Sequence, residues 1–184
     1  MENTKIFKRG VRILTPNEFR ALYDIVDKHE NKAKLEAMLL TGMRYNELQR
    51  LYKRKQYYNN DTIYVKSGKA KARQKERHVR LNQQGKRAVD YFLHASKNLP
   101  SREAWNENLH RWAIKAGIDP TGITTKCFRK TWESWLTVKY PNHFHFIFLS
   151  QGHTDKTALE YYLMCPFTDE HKQAMSYYTD GWIY

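Results

Sequence analysis

Apolar residues recur at helical spacing along almost all of this chain, and that period breaks once, between Gln56 and Leu81. A chain patterned this way folds as packed helices with one small sheet among them. Thr15-Pro16-Asn17-Glu18 combines an N-cap, a first-turn proline and a capping-box glutamate. Phe19, Leu22, Tyr23 and Val26 follow at helical spacing, so a helix starts near Pro16. A second apolar helix, around Ala33 to Leu40, runs up to Gly42, and a third begins at once with Arg44, Leu48 and Leu51 on related turns. Arg44 therefore sits at a helix start beside a glycine break.

Within the break, Tyr57-Tyr58 and Thr62-Ile63-Tyr64-Val65 are β-prone, and Asn59-Asn60-Asp61 between them is turn chemistry, which predicts a hairpin. Residues 66–75 form a basic loop, and His78-Val79-Arg80-Leu81 alternates polar and apolar as a third strand would. The helical period returns at Ala88, Val89 and Phe92, and again at Trp105, Leu109, Trp112 and Ala113 before Gly117 and Asp119-Pro120. Thr124 or Thr125 caps the next helix, whose Phe128, Trp132, Trp135 and Leu136 form one apolar stripe ending before Pro141. Short helices are expected at about His143 to Leu149 and Thr154 to Met164, with a last one after Pro166-Phe167-Thr168. The fold class is α+β, mostly α-helical with a small three-stranded antiparallel sheet, in one domain over residues 1–184.

Composition narrows the partners. Of the 184 residues, 41% are hydrophobic, enough for a packed core. Lys and Arg number 32 against 19 Asp and Glu, a formal charge of +13, which favours a polyanionic partner. The sequence has no apolar run of membrane-spanning length, no signal-peptide core and no lipid-anchor motif, so the expected polyanion is nucleic acid and the expected location the cytoplasm. Cys127 and Cys165 are too few for a disulfide framework and lack the paired spacing of a zinc site, and no Asp, Glu or His cluster has metal-ligand spacing. Neither a metal nor a cofactor is expected.

Four places along the chain carry chemistry. In Thr41-Gly42-Met43-Arg44-Tyr45-Asn46-Glu47-Leu48 an arginine precedes a glutamate by three residues on one helical face, where Glu47 can orient the Arg44 guanidinium. The basic loop supplies Lys66, Lys69, Lys71, Arg73 and Lys75. Lys126-Cys127-Phe128-Arg129 points a lysine and an arginine the same way near a helix N-terminus, an arrangement suited to a phosphate. Last come Leu149-Ser150-Gln151-Gly152-His153 and Ala158-Leu159-Glu160-Tyr161-Tyr162-Leu163.

In this order the four places resemble the catalytic domain of tyrosine recombinases, also called phage integrases. That family's pattern is an arginine in T-G-x-R-x-x-E-L, a lysine on a β-hairpin turn, H-x-x-R, then L-G-H and a tyrosine nucleophile. The stretch "RILTPNEF" upstream is similar to the family's opening. Lys126 stands where most members have histidine, and Gln151 where leucine is usual. The K-x-x-R variant, with the ending "YYLMCPFTDEHKQAMSYYTDGW", resembles integrases of archaeal spindle-shaped viruses and related plasmids. Against that pattern, the N-terminal DNA-clamping domain such integrases usually carry is expected to be absent.

The resemblance implies a tyrosine recombinase catalytic-domain fold and a site-specific recombinase acting on double-stranded DNA attachment sites of a mobile element. It also implies a homo-oligomer, a tetramer, on DNA, and a host-cell location with the nucleoid. The tyrosine attacks a phosphodiester and forms a 3′-phosphotyrosyl link that conserves the bond energy. Arg44 and Arg129 would bind the nonbridging oxygens, whose charge grows in the transition state. Lys69, in Ser67-Gly68-Lys69, is the first choice for the acid that protonates the leaving 5′-oxygen, with Lys71 second. Lys126 and His153 would stabilise the phosphate, and Lys66, Lys71, Arg73 and Lys75 would bind DNA; Tyr162 would be the nucleophile, with Tyr161 the alternative if Tyr162 packs beside Ala158 and Leu159. Two other readings stay open at this point: a type IB topoisomerase and a non-catalytic basic DNA-binding module.

Overall fold

The computed structural model describes residues 5–66, 76–152 and 161–183. The chain begins with a hairpin, β1 (Ile6–Lys8) against β2 (Val11–Ile13), paired with Ile6 opposite Ile13. Arg9 and Gly10 turn it with φ of 49° and 69°, the positive dihedrals of the tight turns that match strand twist. This hairpin is absent from the sequence-based expectation. Helix α1 (Pro16–Asp24) starts at the predicted capping box, with Thr15 Oγ1 accepting from the Glu18 N–H and Glu18 accepting from the Thr15 N–H.

Helix α2 (His29–Thr41) ends at Gly42, and α3 (Tyr45–Lys53) follows with Arg44 as its N-cap. After a 3-10 turn at Lys55–Tyr57, β3 (Thr62–Val65) pairs antiparallel with β4 (Arg77–Arg80), Ile63 opposite Val79. Of the three predicted strands, the first, at Tyr57-Tyr58, reduces to one bridge between Tyr58 and Ile63. The physical reason is local: Asn59 Oδ1 accepts from the Asp61 and Thr62 N–H groups, and that tight turn leaves only Tyr58 alongside β3.

Four helices then follow: α4 (Gln83–Ala95), α5 (Arg102–Lys115), α6 (Thr125–Lys139) and α7 (Phe144–Gln151). Between Thr124 and Thr125, the structure selects Thr124 as the α6 N-cap. The helix expected over Thr154 to Met164 falls largely outside the described residues, and Tyr161 to Leu163 are helical. Helix α8 (Asp169–Thr179) starts at Thr168, whose hydroxyl accepts from the His171 N–H.

Helix α6 is the centre of the molecule. Its stripe Phe128, Trp132, Trp135 and Leu136 is wholly buried, as are Cys127, Thr131 and Ser134 on its other sides. Helices α2, α5, α7 and α8 and strand β2 surround it. Two hydrogen bonds clip the end of β2 onto it: the Leu14 N–H donates to Thr131 Oγ1 at 2.9 Å, and Trp135 Nε1 donates to the Leu14 carbonyl at 3.0 Å. The C-terminal segment closes the far side, where Asn82 Nδ2 donates to the Tyr178 and Asp180 carbonyls and Trp182 Nε1 donates to the Arg80 carbonyl. Among the described residues no helix is long and apolar enough to cross a membrane.

Candidate active site

The end of α2 sets the geometry of the site. Gly42 has φ of +59°, and a Cβ there would lie 2.4 Å from Gln151 Oε1 and 2.8 Å from Trp132 Cδ1. Only glycine lets α2 stop, turn and touch both α6 and α7 at once. Gln151 is fully buried, and its Nε2 donates to the Thr41 carbonyl at 3.1 Å. Gln151 thus ties the end of α7 to the end of α2.

Arg44 emerges from that turn. Its backbone N–H donates to Glu47 Oε2 at 2.8 Å and its Nη1 lies 3.1 Å from Glu47 Oε1. Behind Glu47 stands Arg77 of β4, whose Nη1 and Nη2 donate to the two carboxylate oxygens at 3.0 and 2.7 Å while its Nε donates to the Ser150 carbonyl at 3.0 Å. Burial opposes the charged form of Glu47, but the hydrogen bonds and charge of Arg77, then of Arg44, outweigh it and hold the carboxyl below its ordinary range. Arg44 loses some of its hold on its proton, through burial first and the charge of Arg129 second. Two guanidiniums held this close gain from an anion between them.

Arg129 comes from the first turns of α6. Its Nη1 donates to the Gly42 carbonyl at 3.1 Å, its Nη2 to the Gln151 carbonyl, and its Nε lies 2.8 Å from Glu133 Oε1. Three of the five guanidinium N–H groups are thereby engaged, which fixes the plane of the fork. Lys126, one turn earlier on the same face, is exposed.

These groups line one cavity of about 820 Å³. Among the described residues it presents seven cations, which are Arg44, Lys126 and Arg129 together with Lys8, Arg9, Arg102 and Lys130, against one carboxylate, Glu133. Tyr161 and Tyr162 close its wall. The two tyrosines differ sharply. Tyr162 is 1% exposed and its hydroxyl donates to Glu133 Oε2 at 3.1 Å, whereas Tyr161 is 42% exposed and its hydroxyl donates to the Phe7 carbonyl. Burial, then the charge and hydrogen bond of Glu133, push the Tyr162 phenol well above its ordinary range. The Lys8 ammonium lies 4.1 Å from the centre of the Tyr162 ring.

Of the residues singled out from the sequence, Arg44, Lys126, Arg129 and Tyr162 meet at this cavity, with Glu47 behind Arg44. Lys66 is exposed and lines a separate cleft beside Arg50 and Tyr64. Lys69, Lys71, Arg73, Lys75 and His153 lie outside the described residues. Sequence reasoning missed Lys8, Arg9, Arg77, Arg102, Lys130 and Glu133. For Glu133 a signal existed, the i,i+4 spacing from Arg129; Arg77 carried none, because its partner is set by strand β4 meeting α3. Cys127 takes no part: it is wholly buried, and burial pushes its thiol up to about 12. Among the described residues, no group of three or more His, Cys, Asp or Glu side chains converges as a metal site would.

Comparison with known proteins points one way. The model of the Phage integrase family matches residues 12–165. The crystal structure of XerA recombinase superposes with a TM-score of 0.67, covering 95% of this chain and 66% of that one at 19% identity, a likeness of fold. This chain therefore spans just under two thirds of that recombinase. No curated protein matches the sequence.

Proposed function

We propose that this chain, which belongs to the phage integrase family, is a DNA strand transferase that cuts and rejoins duplex DNA through Tyr162. One observation carries the reading: Arg44, Lys126, Arg129 and Tyr162, drawn from separate parts of the chain, line a single cavity rich in cations. The Tyr162 oxygen attacks phosphorus, a 3′-phosphotyrosyl bond forms and the bond to the 5′-oxygen breaks. Attack by a 5′-hydroxyl reverses the step, so the energy of the phosphodiester is kept.

Arg44 and Arg129 bind the nonbridging oxygens. A rigid, prepositioned guanidinium gains most when negative charge builds there, so it stabilises the transition state more than the ground state. Lys126 adds a cation at the helix N-terminus. Lys69, with Lys71 as the second choice, protonates the leaving oxygen, and His153 bonds the phosphate. Lys66, Lys71, Arg73 and Lys75 follow the DNA backbone. In this reading residues 1–184 act as a catalytic domain, assemble as a tetramer on attachment sites in the host cytoplasm, and move a mobile element. The likeness to integrases of archaeal spindle-shaped viruses, carried by Lys126 and the C-terminal string, supports that last step.

The test is a nicked suicide duplex that traps the covalent intermediate. Wild-type protein is expected to become attached to the 3′ side of the cut, and Tyr162→Phe to bind DNA without attachment. Attachment that persists in Tyr162→Phe and vanishes in Tyr161→Phe would move the nucleophile by one residue. No attachment by wild-type protein would overturn the reading.

A further inference from the structure

A phenol releases its proton unaided only near a pH of about 10, so Tyr162 needs an acceptor to attack at neutrality. The cavity's arginines and lysines stabilise anions but accept protons poorly at that pH. Among the described residues Glu133 is the carboxylate that lines the cavity, and its geometry suits the task. It is 1% exposed, its Oε2 accepts from the Tyr162 hydroxyl at 3.1 Å, and its Oε1 lies 2.8 Å from Arg129 Nε. An acceptor must already be within hydrogen-bond reach of the proton it takes, and Glu133 is.

We propose that Glu133 is the proton acceptor for Tyr162, a role that rests on the strand-transfer reading above. As the Tyr162 oxygen bonds to phosphorus its O–H bond breaks and the proton passes to Glu133 Oε2. The bond from phosphorus to the 5′-oxygen breaks in turn, and that oxygen takes its proton from the loop lysine. On rejoining, the Glu133 carboxylic acid returns the proton to the departing Tyr162 oxygen.

Arg129 is what makes this transfer feasible in a buried place. Before the step its guanidinium faces both the Glu133 carboxylate and the phosphodiester; afterwards Glu133 is neutral and the phosphotyrosyl diester keeps its single negative charge. The phosphate charge remains beside Arg129 when Glu133 becomes neutral, so no buried cation is left uncompensated. The charge of Arg129 opposes the rise that burial and Glu133 impose on the Tyr162 pKa, and further cations face the same cavity: Lys8 from β1 lies over the Tyr162 ring, Arg44 stands at the N-cap of α3, and Lys130 follows Arg129 on α6. Tyr161 and Cys165 flank Tyr162 on its own segment.

The test is the rate of first-turnover adduct formation on the suicide duplex, followed across pH. Glu133→Gln keeps the size and an acceptor oxygen but takes up no proton. It is expected to lower the rate at neutral pH by about 100-fold or more, with a rate that climbs as pH rises while DNA binding is retained. Glu133→Asp is expected to fall between the two with a wild-type pH profile. Trifluorotyrosine at position 162, a more acidic phenol, is expected to restore most of the rate lost in Glu133→Gln, which no merely structural role would allow. Wild-type rates in Glu133→Gln, or a slow Glu133→Gln that the acidic phenol does not rescue, would overturn the proposal. An absent adduct with wild-type protein would instead strike the strand-transfer reading beneath it.

Discussion

Replacing Arg77 with methionine isolates the contact that supports Arg44. Methionine keeps the length and the apolar stem of the side chain but removes both hydrogen bonds to Glu47 and the one to the Ser150 carbonyl. The Glu47 side chain is 2% exposed, so the lost charge is not replaced by water; its remaining cation among the described residues is Arg44, whose side chain is 41% exposed. Removing one partner of a buried pair costs about 3–5 kcal/mol. With a urea dependence of about 2–3 kcal/mol per molar, that moves the unfolding midpoint down by about 1–2.5 M. Glu47→Leu combined with Arg77→Met is expected to recover most of the loss, because no buried charge is left without its partner and the Arg44 side chain is part exposed.

The same variant carries a pH signature. Glu47 is held below its ordinary range in the folded protein, so its stabilisation is complete above the unfolded carboxylate value of about 4.3 and is lost as pH falls through the folded one. The gap between wild type and Arg77→Met is therefore widest near neutrality and narrows in acid. Urea unfolding followed by tryptophan fluorescence at neutral and acid pH measures both effects. A cost under about 1 kcal/mol at neutral pH, or an equal cost at both, would refute the reasoning.

Arg44→Ala is expected to lower the rate of strand cleavage by about 100-fold with little change in thermal stability, since the side chain is part exposed, whereas Arg129→Ala lowers both because its bonds hold the ends of α2 and α7 to α6. Kinetics and thermal melts on the same two proteins check this. Gly42→Ala is expected to cost about 1–3 kcal/mol in thermal unfolding, and adding Gln151→Ala to relieve only part of it, because the positive φ of Gly42 remains strained for any side chain. DNA affinity is expected to fall steeply with salt in a binding titration, and Lys126→Ala to reduce the slope of log affinity against log salt by about one.

The helices were legible because their signals are local. The Thr15 capping box, the Thr124 and Thr168 caps and the break at Gly42 each act within a few residues, where dihedral preference and backbone hydrogen bonds are decided. Arg9-Gly10 between the short apolar-containing runs Ile6-Phe7 and Val11-Arg12-Ile13 was an equally local signal for the first hairpin. The strand expected at Tyr57-Tyr58 failed because its β-propensity competes with an Asx turn at Asn59 and with the end of α3, and packing arbitrates between them.

In the candidate site, Arg44, Lys126, Arg129 and Tyr162 were picked out by the resemblance of their motifs, in order along the chain, to the family's pattern. Two features were beyond its reach. Arg77 finds Glu47 across 30 residues, and Glu133 finds Tyr162 across 29. Tyr161 and Tyr162 are neighbours with the same chemistry, yet one hydroxyl meets the β1 backbone and the other a carboxylate buried in α6. A sequence encodes which face of a helix is apolar. Which partner that face meets depends on how β1, α3 and α6 come together, and there the cost of burying an unpaired charge selects among pairings that local pattern leaves equal.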